Sequence, residues 1–384
     1  MPDKAQLIYA MKIYYDENMP FAREFFSGLG ELVPFAGREL SQETAAEADV
    51  LLVRSITRVN QALLQSNKQI QFVGTATIGV DHIDQAYLNS RNISFSAAPG
   101  CNAVSVAEYV LSALVVLAER YLLDLSGLTV GIVGAGNTGT RLSEKLKALG
   151  IRYYLCDPLL AEQGDEREFV SLERVLSCDV ISLHVPLTTA GQYPSYHLLN
   201  RERLTRLTDK QILINACRGE VVDNQALLEL KQAGHGLKLV WDVWENEPDI
   251  LMPLIDHTEI ATAHIAGYSL EGKARGTEML YLALCKQLKI KPKLTLSQFL
   301  PPASITHVEI KQHFDEIILN QLVKMVYDVR RDDGIFRQQL SCQGFDMLRK
   351  NYPVRREFSA VTVALAEQAS NNDVPHQLGF NFPR

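Results

Sequence analysis

The run LTVGIVGAGNTGTRLSEKLKALGIRYYLCDP, residues 128–158, narrows the choice of folds more than any other part of the chain. A short apolar segment leads into Gly134, Gly136 and Gly139 at the spacing G-x-G-x-x-G. An amphipathic helical pattern follows, and a second apolar segment ends in Asp157. Each glycine has a separate task in a strand–turn–helix unit. Gly134 permits the tight turn, Gly136 lets a pyrophosphate approach the backbone, and Gly139 lets the helix pack on the strand. Asn137 and Thr138 lie in the first helical turn, where free amide groups attract phosphate. An acid about 20 residues beyond the glycines takes the ribose hydroxyls. Asp157 would repel a 2′-phosphate and no arginine follows it at once, so the pattern predicts NAD rather than NADP. The competing reading of Asp157 is a turn-forming Asp-Pro pair.

The surroundings fit a doubly wound Rossmann domain over residues 101–267. Six strand-like runs are LTVGIVG, IRYYLCD, DVISLHVP, QILINACR, LKLVWDV and TEIATAHI, with a long apolar helix predicted before them in NAVSVAEYVLSALVVLAERYLL. Residues 11–100 carry another alternation, with strands in KIYYDE, VLLVRS, IQFVGTAT and ISFSAA and helices in MPFAREFFSGLG and NQALLQSN. Such alternation predicts a parallel sheet. Residues 1–10 read as an unstructured extension. LPP at 300–302 reads as a linker, and residues 296–384 as a small third α/β domain. A length of 384 residues calls for two or three domains.

The net charge of −7, with both signs well mixed, argues against a nucleic-acid surface. The six cysteines are scattered, with no C-x-x-C pair and no histidine at metal spacing, so neither a metal site nor a disulfide framework is expected. The longest apolar run, YVLSALVVLAERY, is too short for a bilayer, and the first residues lack the pattern of a secretory signal. A cytoplasmic protein with no membrane partner is expected.

Three charged residues fall where strands of the second series finish: Arg218 in INACRGEVVD, Glu247 in WDVWENEP and His264 in ATAHIAGY. Ligands of open α/β sheets gather at these strand ends. The three types suit oxidation of a 2-hydroxy acid. Arginine grips a carboxylate with a planar fork. Histidine takes the hydroxyl proton, and a carboxylate orients the ring and favours its charged form. The rival readings are a structural ion pair for Arg218, a core histidine for His264, and a solvated loop acid for Glu247, which has Asp242 and Glu245 nearby. His82 and His184 lack this context and read as structural.

The order Arg, Glu, His after a G-x-G-x-x-G domain resembles the D-isomer-specific 2-hydroxyacid dehydrogenases. SLHVPLT and INACRGEVVD carry the match, which covers about Lys12 to Ile290. YYDENMP, FVGTATIGVDHID, SAAPGCNA, HIAGYSLEGKARG, YDVRRDD and LRKNYPVRREFS narrow it to a branch acting on a phosphorylated 2-hydroxy acid. The resemblance implies a flavodoxin-like α/β substrate domain made of 11–100 plus 268–295, flanking a cleft with the Rossmann domain. It also implies a C-terminal domain that forms a homodimer. It makes Arg218 and Glu247 catalytic and His264 the acid–base group. It assigns NAD contacts to Asp157, Val185, Ala216, Cys217, Arg218, Asp242 and Gly267, and substrate contacts to Ser55, Thr77 and Tyr268. The substrate phosphate needs further cations: Arg54, next to Ser55, is the first candidate. Lys273 and an arginine of the third domain, among Arg330, Arg331, Arg355 and Arg356, are others. The alternatives are a phosphoglycerate or hydroxypyruvate dehydrogenase, or an NAD-responsive binding module of the corepressor kind.

Overall fold

Two sheets organise the chain, as a computed structural model describing residues 11–366 and 373–383 makes plain. The segment 1–10, read above as an extension, lies outside the described residues. The chain divides into one unit of Met1–Asn102 with Leu270–Pro301 and a second of Ala103–Ser269 with Pro302 onward.

The first unit holds five parallel strands: β1 (Lys12–Asp16), β2 (Glu31–Phe35), β3 (Val50–Val53), β4 (Phe72–Thr75) and β5 (Ser94–Ser96), in the order β2-β1-β3-β4-β5. This is the flavodoxin-like order. The central VLLV of β3 is buried on both faces, as an all-parallel sheet requires. β2 is not among the strands read from the sequence, and it carries Pro34, which a central strand would exclude. It forms at the sheet edge, where a missing N–H is harmless. The helix Leu270–Leu288 covers one face, packing Ala274, Leu280, Tyr281 and Leu284 on Ile13, Leu52 and Phe72. Short helices at 42–45, 61–64 and 85–90 cover the other with Ala45, Leu64 and Leu88.

In the second unit β6 (Thr129–Val133), β7 (Arg152–Cys156), β8 (Val180–Leu183), β9 (Ile212–Asn215), β10 (Lys238–Trp241) and β11 (Ile260–Ala261) form a parallel sheet in the order β11-β10-β9-β8-β6-β7. An isolated parallel bridge from Leu155 to Phe169 extends the β7 edge, where a Rossmann sheet carries its third strand. The strand order reverses between β6 and β8, so their carboxyl ends open the crevice that such folds use for ligands.

The helix Ala103–Tyr121 is buried from Ser105 to Ala118. It is buried all round because it is covered on every side: by the sheet, by the helix Asn137–Ala148, and by C-terminal residues Leu319, Leu322 and Phe358. Phe336 of the helix Val329–Gln343 stacks on Trp244 with ring centroids 5.5 Å apart. The run FDEIILNQLVKMVYDVRR carries one helix, Glu316–Val326, and the start of another, Val329–Gln343. Asp328 breaks it by capping the second, its side chain accepting the N–H of Arg330. A pair of parallel strands, β12 (His307–Ile310) and β13 (Thr362–Leu365), completes this segment.

No helix among the described residues is long and apolar enough to cross a membrane.

Candidate active site

The glycine turn after β6 is built as its spacing requires. Gly134 has φ +91°, and a Cβ there would stand 2.6 Å from the carbonyl oxygen of His184 and 2.9 Å from Val185 N. A Cβ on Gly139 would lie 2.0 Å from the Gly134 carbonyl. Gly136 differs from both, since a Cβ there would meet nothing within 4 Å. Packing therefore does not require glycine at 136; the bare backbone leaves room for a bound group. Gly136 is also the N-cap of the helix Asn137–Ala148, and no side chain caps its first amides. Those amides form a ready anion site.

Asp157 ends β7 and grips this turn. Its Oδ2 accepts Ala135 N–H at 2.9 Å and its Oδ1 accepts Leu160 N–H at 3.2 Å. A carboxylate has about four acceptor positions, so capacity remains for ribose hydroxyls. The Asp-Pro turn and the cofactor role are thus compatible. Arg167, which sequence reading passed over, donates to Ala135 O at 2.9 Å and Thr140 Oγ1 at 2.8 Å while paired with Asp165.

Arg218 follows β9, half-buried, with Nη1 donating to Cys217 O at 2.7 Å. The next residue sets its surroundings. A Cβ on Gly219 would fall 1.9 Å from the Trp244 carbonyl carbon, so only glycine lets this segment lie against the loop that carries Glu247. Asn215 Nδ2 donates to Arg218 O at 3.0 Å and fixes the same turn. Ala216 is half-buried beside the buried Cys217. Burial raises the Cys217 thiol to about 11, which makes it inert.

The two acids of the ENEP loop separate clearly. Glu247 accepts Trp244 N–H through Oε1 at 2.9 Å, and its Oε2 lies 2.7 Å from His264 Nδ1. Glu245 turns away to His197 Nε2 at 2.6 Å and Asn224 N–H at 2.8 Å. With Asp223, Glu245 and His197 form a separate cluster whose ligand atoms lie within 4.8 Å of one another. Burial pushes the Glu247 carboxyl up. The charge and hydrogen bond of His264, the Trp244 amide and the charge of Arg349 outweigh it and hold the group below the ordinary glutamate value. An ionised Glu247 on Nδ1 assigns that nitrogen the proton and leaves Nε2 as the acceptor.

His264 stands in the left-handed region at φ 55°, which costs a non-glycine residue on the order of 1–3 kcal/mol. Asp242 holds it there. The Asp242 carbonyl accepts His264 N–H at 2.7 Å, and its carboxylate accepts Ile265 N–H at 2.8 Å, Ala266 N–H at 3.0 Å and the Thr262 hydroxyl at 2.6 Å. Fully buried Asp242 is therefore first of all the anchor of the histidine loop, a role its motif did not suggest.

Beyond the histidine, Gly267 and Tyr268 are half-buried, and Tyr268 sits edge-on to Tyr352 with centroids 5.9 Å apart. The third domain does reach this loop, through two arginines. Arg355 donates to Ala266 O at 3.0 Å and Ser105 O at 2.5 Å, and its guanidinium carbon lies 3.6 Å from the Tyr327 ring centroid. It is a buried clamp rather than a phosphate ligand. Arg330 and Arg331 pair with Asp328 and Asp332. Arg349 stands 5.6 Å from the Tyr268 ring centroid. Sequence reading missed it, although it lies inside the quoted LRKNYPVRREFS.

In the first unit Arg54 and Ser55 follow β3, half-buried and exposed. Thr77 follows β4, bonded to Thr75 Oγ1 at 2.7 Å and donating to Gly79 O at 2.9 Å. Gly276 lets the helix Leu270–Leu288 approach this loop, since a Cβ there would lie 2.9 Å from Ala76 O. Lys273 on that helix is drawn down to about 8, by burial first and by the charge of Arg54 second. The two histidines read as structural are neutralised by burial. His184 falls to about 4 and bonds Ser182 at 2.8 Å; His82 is lowered and bonds Thr75 at 2.9 Å.

Comparison with known proteins places this geometry in context. Residues 113–266 match the NAD binding domain of D-isomer specific 2-hydroxyacid dehydrogenases, and residues 299–379 match a domain of unknown function, DUF3410. The chain is 67% identical to the erythronate-4-phosphate dehydrogenase of Colwellia psychrerythraea, over 97% of this chain and all of that protein. It is 54% identical to the enzyme of that name from Tolumonas auensis, over 97% of this chain and 99% of the other. Among solved structures, a D-lactate dehydrogenase of Aquifex aeolicus complexed with NAD and lactic acid superposes with TM-score 0.58 at 26% identity, covering 72% of this chain and 95% of that one. The TT0316 protein of Thermus thermophilus superposes with TM-score 0.62 at 27% identity, covering 73% and 98%.

Proposed function

The chain belongs to the D-isomer-specific 2-hydroxyacid dehydrogenase family, among its erythronate-4-phosphate dehydrogenases, and from that premise we propose how its residues divide the reaction. The reaction is the NAD-dependent oxidation of 4-phospho-D-erythronate to (R)-3-hydroxy-2-oxo-4-phosphooxybutanoate, in vitamin B6 biosynthesis. NAD, when bound, supplies the electron acceptor. The open backbone at Gly136, the uncapped amides after it and the carboxylate of Asp157 fit its pyrophosphate and ribose. Val185, Ala216, Cys217, Asp242 and Gly267 are the further assigned contacts; at Val185 and Gly267 these come from backbone or packing.

His264 Nε2 takes the proton of the C2 hydroxyl as C2 is oxidised. Glu247 holds the ring by Nδ1 and stabilises the imidazolium that forms. Arg218 grips the substrate carboxylate. Tyr268, Ser55 and Thr77 take the remaining polar groups, and Arg54 with Lys273 supplies charge for the phosphate. The observation that carries this reading is the 2.7 Å contact of Glu247 with His264 on a loop anchored by Asp242.

The test is NADH absorbance with 4-phospho-D-erythronate, 3-phosphoglycerate and unphosphorylated erythronate. Turnover confined to the first supports the assignment; equal or better turnover of 3-phosphoglycerate defeats it. Arg54→Ala and Lys273→Ala should raise KM for the phosphorylated acid at least tenfold, about the loss of one charged contact.

The protein forms a homodimer through its C-terminal segment. Ile305, Ile317, Met347, Val354 and Phe382 are exposed there, which supports a covered face. Light scattering on Ile317→Glu and Val354→Glu, singly and combined, checks it: a wild-type mass of one chain, or variants that all remain dimeric, counts against this interface.

A further inference from the structure

We propose that Arg355 and Glu357 are positioning residues of the reaction: together they brace the loop from Ile265 to Ser269 and so hold His264 and Tyr268 in place. The inference rests on the roles assigned to those two residues above. It gives a task to the C-terminal segment, which the nucleotide-binding match does not include. All the residues concerned lie in the second unit.

The brace is made of bonds to the loop's backbone and to its last hydroxyl. Ala266 is held from two sides. Its N–H goes to Asp242 Oδ2 at 3.0 Å, and its carbonyl accepts an N–H of Arg355 Nη1 at 3.0 Å. Further along, Ser269 forms an isolated parallel bridge with Arg355. The Ser269 hydroxyl donates to Glu357 Oε1 at 2.9 Å. Gly267 and Tyr268 lie between these two fixed points. Asp242 thus anchors the loop where it begins, and Arg355 with Glu357 where it ends.

The same two residues grip the helix Ala103–Tyr121. Arg355 Nη2 donates to Ser105 O at 2.5 Å. The Ser105 hydroxyl donates to Glu357 Oε1 at 2.9 Å and lies 2.5 Å from Ser269 Oγ. The next residue, Phe358, donates its N–H to Glu108 Oε1 at 3.1 Å, and its ring stacks on Phe380 with centroids 4.7 Å apart. The brace is therefore fixed to a buried helix that spans the unit.

Packing alone does not account for this choice of residues. A guanidinium and a carboxylate are expensive to bury, yet Arg355 is 2% exposed and Glu357 1%. The Tyr327 ring, its centroid 3.6 Å from the guanidinium carbon, covers one face of the arginine. An apolar side chain of like size would fill the space without tying the loop to the helix. What the arginine and the glutamate add is a fixed distance between the two. An acid–base group needs that, since a displacement of about 1 Å can cost about 10²-fold in rate.

Full-length Arg355→Lys, Glu357→Ala, Glu357→Gln and Ser269→Ala test the brace. Ser269→Ala removes one hydroxyl and leaves the buried charges in place, so it serves should the others fail to fold. The first readout is kcat for 4-phospho-D-erythronate oxidation at saturating NAD and acid, well below each melting temperature. Arg355→Lys and Glu357→Ala should lower it by about tenfold to a hundredfold, and Ser269→Ala by about threefold. Glu357→Gln keeps an acceptor for the two hydroxyls and should return most of the loss. On a His264→Ala background the same changes should cost about twofold or less, because no acid–base group is left to misplace. The second readout needs no turnover: hydrogen exchange of residues 262–269 should speed up about tenfold or more in the impaired variants, while that of residues 129–133 in β6 holds. Equal fractional losses with and without His264 overturn the proposal, since they make Arg355 and Glu357 supports of the fold as a whole. So do wild-type turnover in Arg355→Lys and Glu357→Ala, a Glu357→Gln as impaired as Glu357→Ala, and unchanged exchange at 262–269. Faster exchange there in a protein that does not oxidise the acid supports the brace and removes the assigned reaction alone.

Discussion

Ile265 donates its backbone N–H to Asp242 Oδ1 at 2.8 Å, which ties the residue after His264 to the end of the neighbouring strand. With Ala266 N–H and the Thr262 hydroxyl on the same carboxylate, the left-handed turn at His264 is held by bonds rather than by sequence preference.

Replacing Asp242 by alanine orphans two buried amides and a hydroxyl at once. Each buried unsatisfied group costs about 1–3 kcal/mol, so Asp242→Ala should destabilise the protein by roughly 3 kcal/mol or more and release the loop. Thermal unfolding and kcat should fall together. An intact melting temperature with unchanged turnover contradicts the anchoring role.

His264→Ala should lower kcat by about 10²–10⁴ with NAD affinity within a factor of a few. Glu247→Gln keeps an acceptor for Trp244 N–H but loses the charge, and should lose less. Stopped-flow turnover and NADH fluorescence titration separate these effects; a tenfold loss of cofactor affinity in both argues for a binding role.

The three turn glycines should respond differently. Gly139→Ala forces a Cβ to 2.0 Å from the Gly134 carbonyl and should lower the melting temperature markedly. The Cβ that Gly136→Val adds meets no protein atom within 4 Å. It should melt near wild type while NAD binding weakens by at least tenfold. Calorimetry and cofactor titration on the two variants make the comparison.

Glu108 is fully buried, with Lys145 Nζ 3.5 Å away and Phe358 N–H donating to it at 3.1 Å. Burial raises it to about 7, against the opposing charge of Lys145. The folded state then binds a proton that the unfolded state releases above its ordinary glutamate value. Wild-type stability relative to Glu108→Gln should therefore decline as pH rises from about 4.5 to about 7, by up to about 3 kcal/mol, and level off above. Urea unfolding of both proteins across pH 4–9 reads the difference; a flat difference refutes it.

Much of this was legible in the sequence, for physical reasons. All six strands of the nucleotide-binding sheet stand in continuous apolar runs, because a parallel sheet is buried on both faces. Arg218, Glu247 and His264 could be named because chemistry fixes their types. Other features were hidden. β2 went unread, and only the edge position excuses its Pro34. TEIATAHI reads as a longer strand than the two residues of β11, because the chain must leave the sheet at once to turn at His264. Glu247 was preferred to Glu245 from the sequence, but what separates them physically, the Trp244 amide on one and the His197 partner on the other, was not visible there. Arg349 stands over the ring of Tyr268, about 80 positions earlier in the chain, a pairing that no spacing rule reports.

The helix Leu270–Leu288 closes a sheet whose strands all precede residue 97. During synthesis, therefore, the first strands emerge from the ribosome long before their lid is made. At about 5–20 residues per second the wait is roughly ten to forty seconds. Throughout it Ile13, Leu52 and Phe72 lack their native cover.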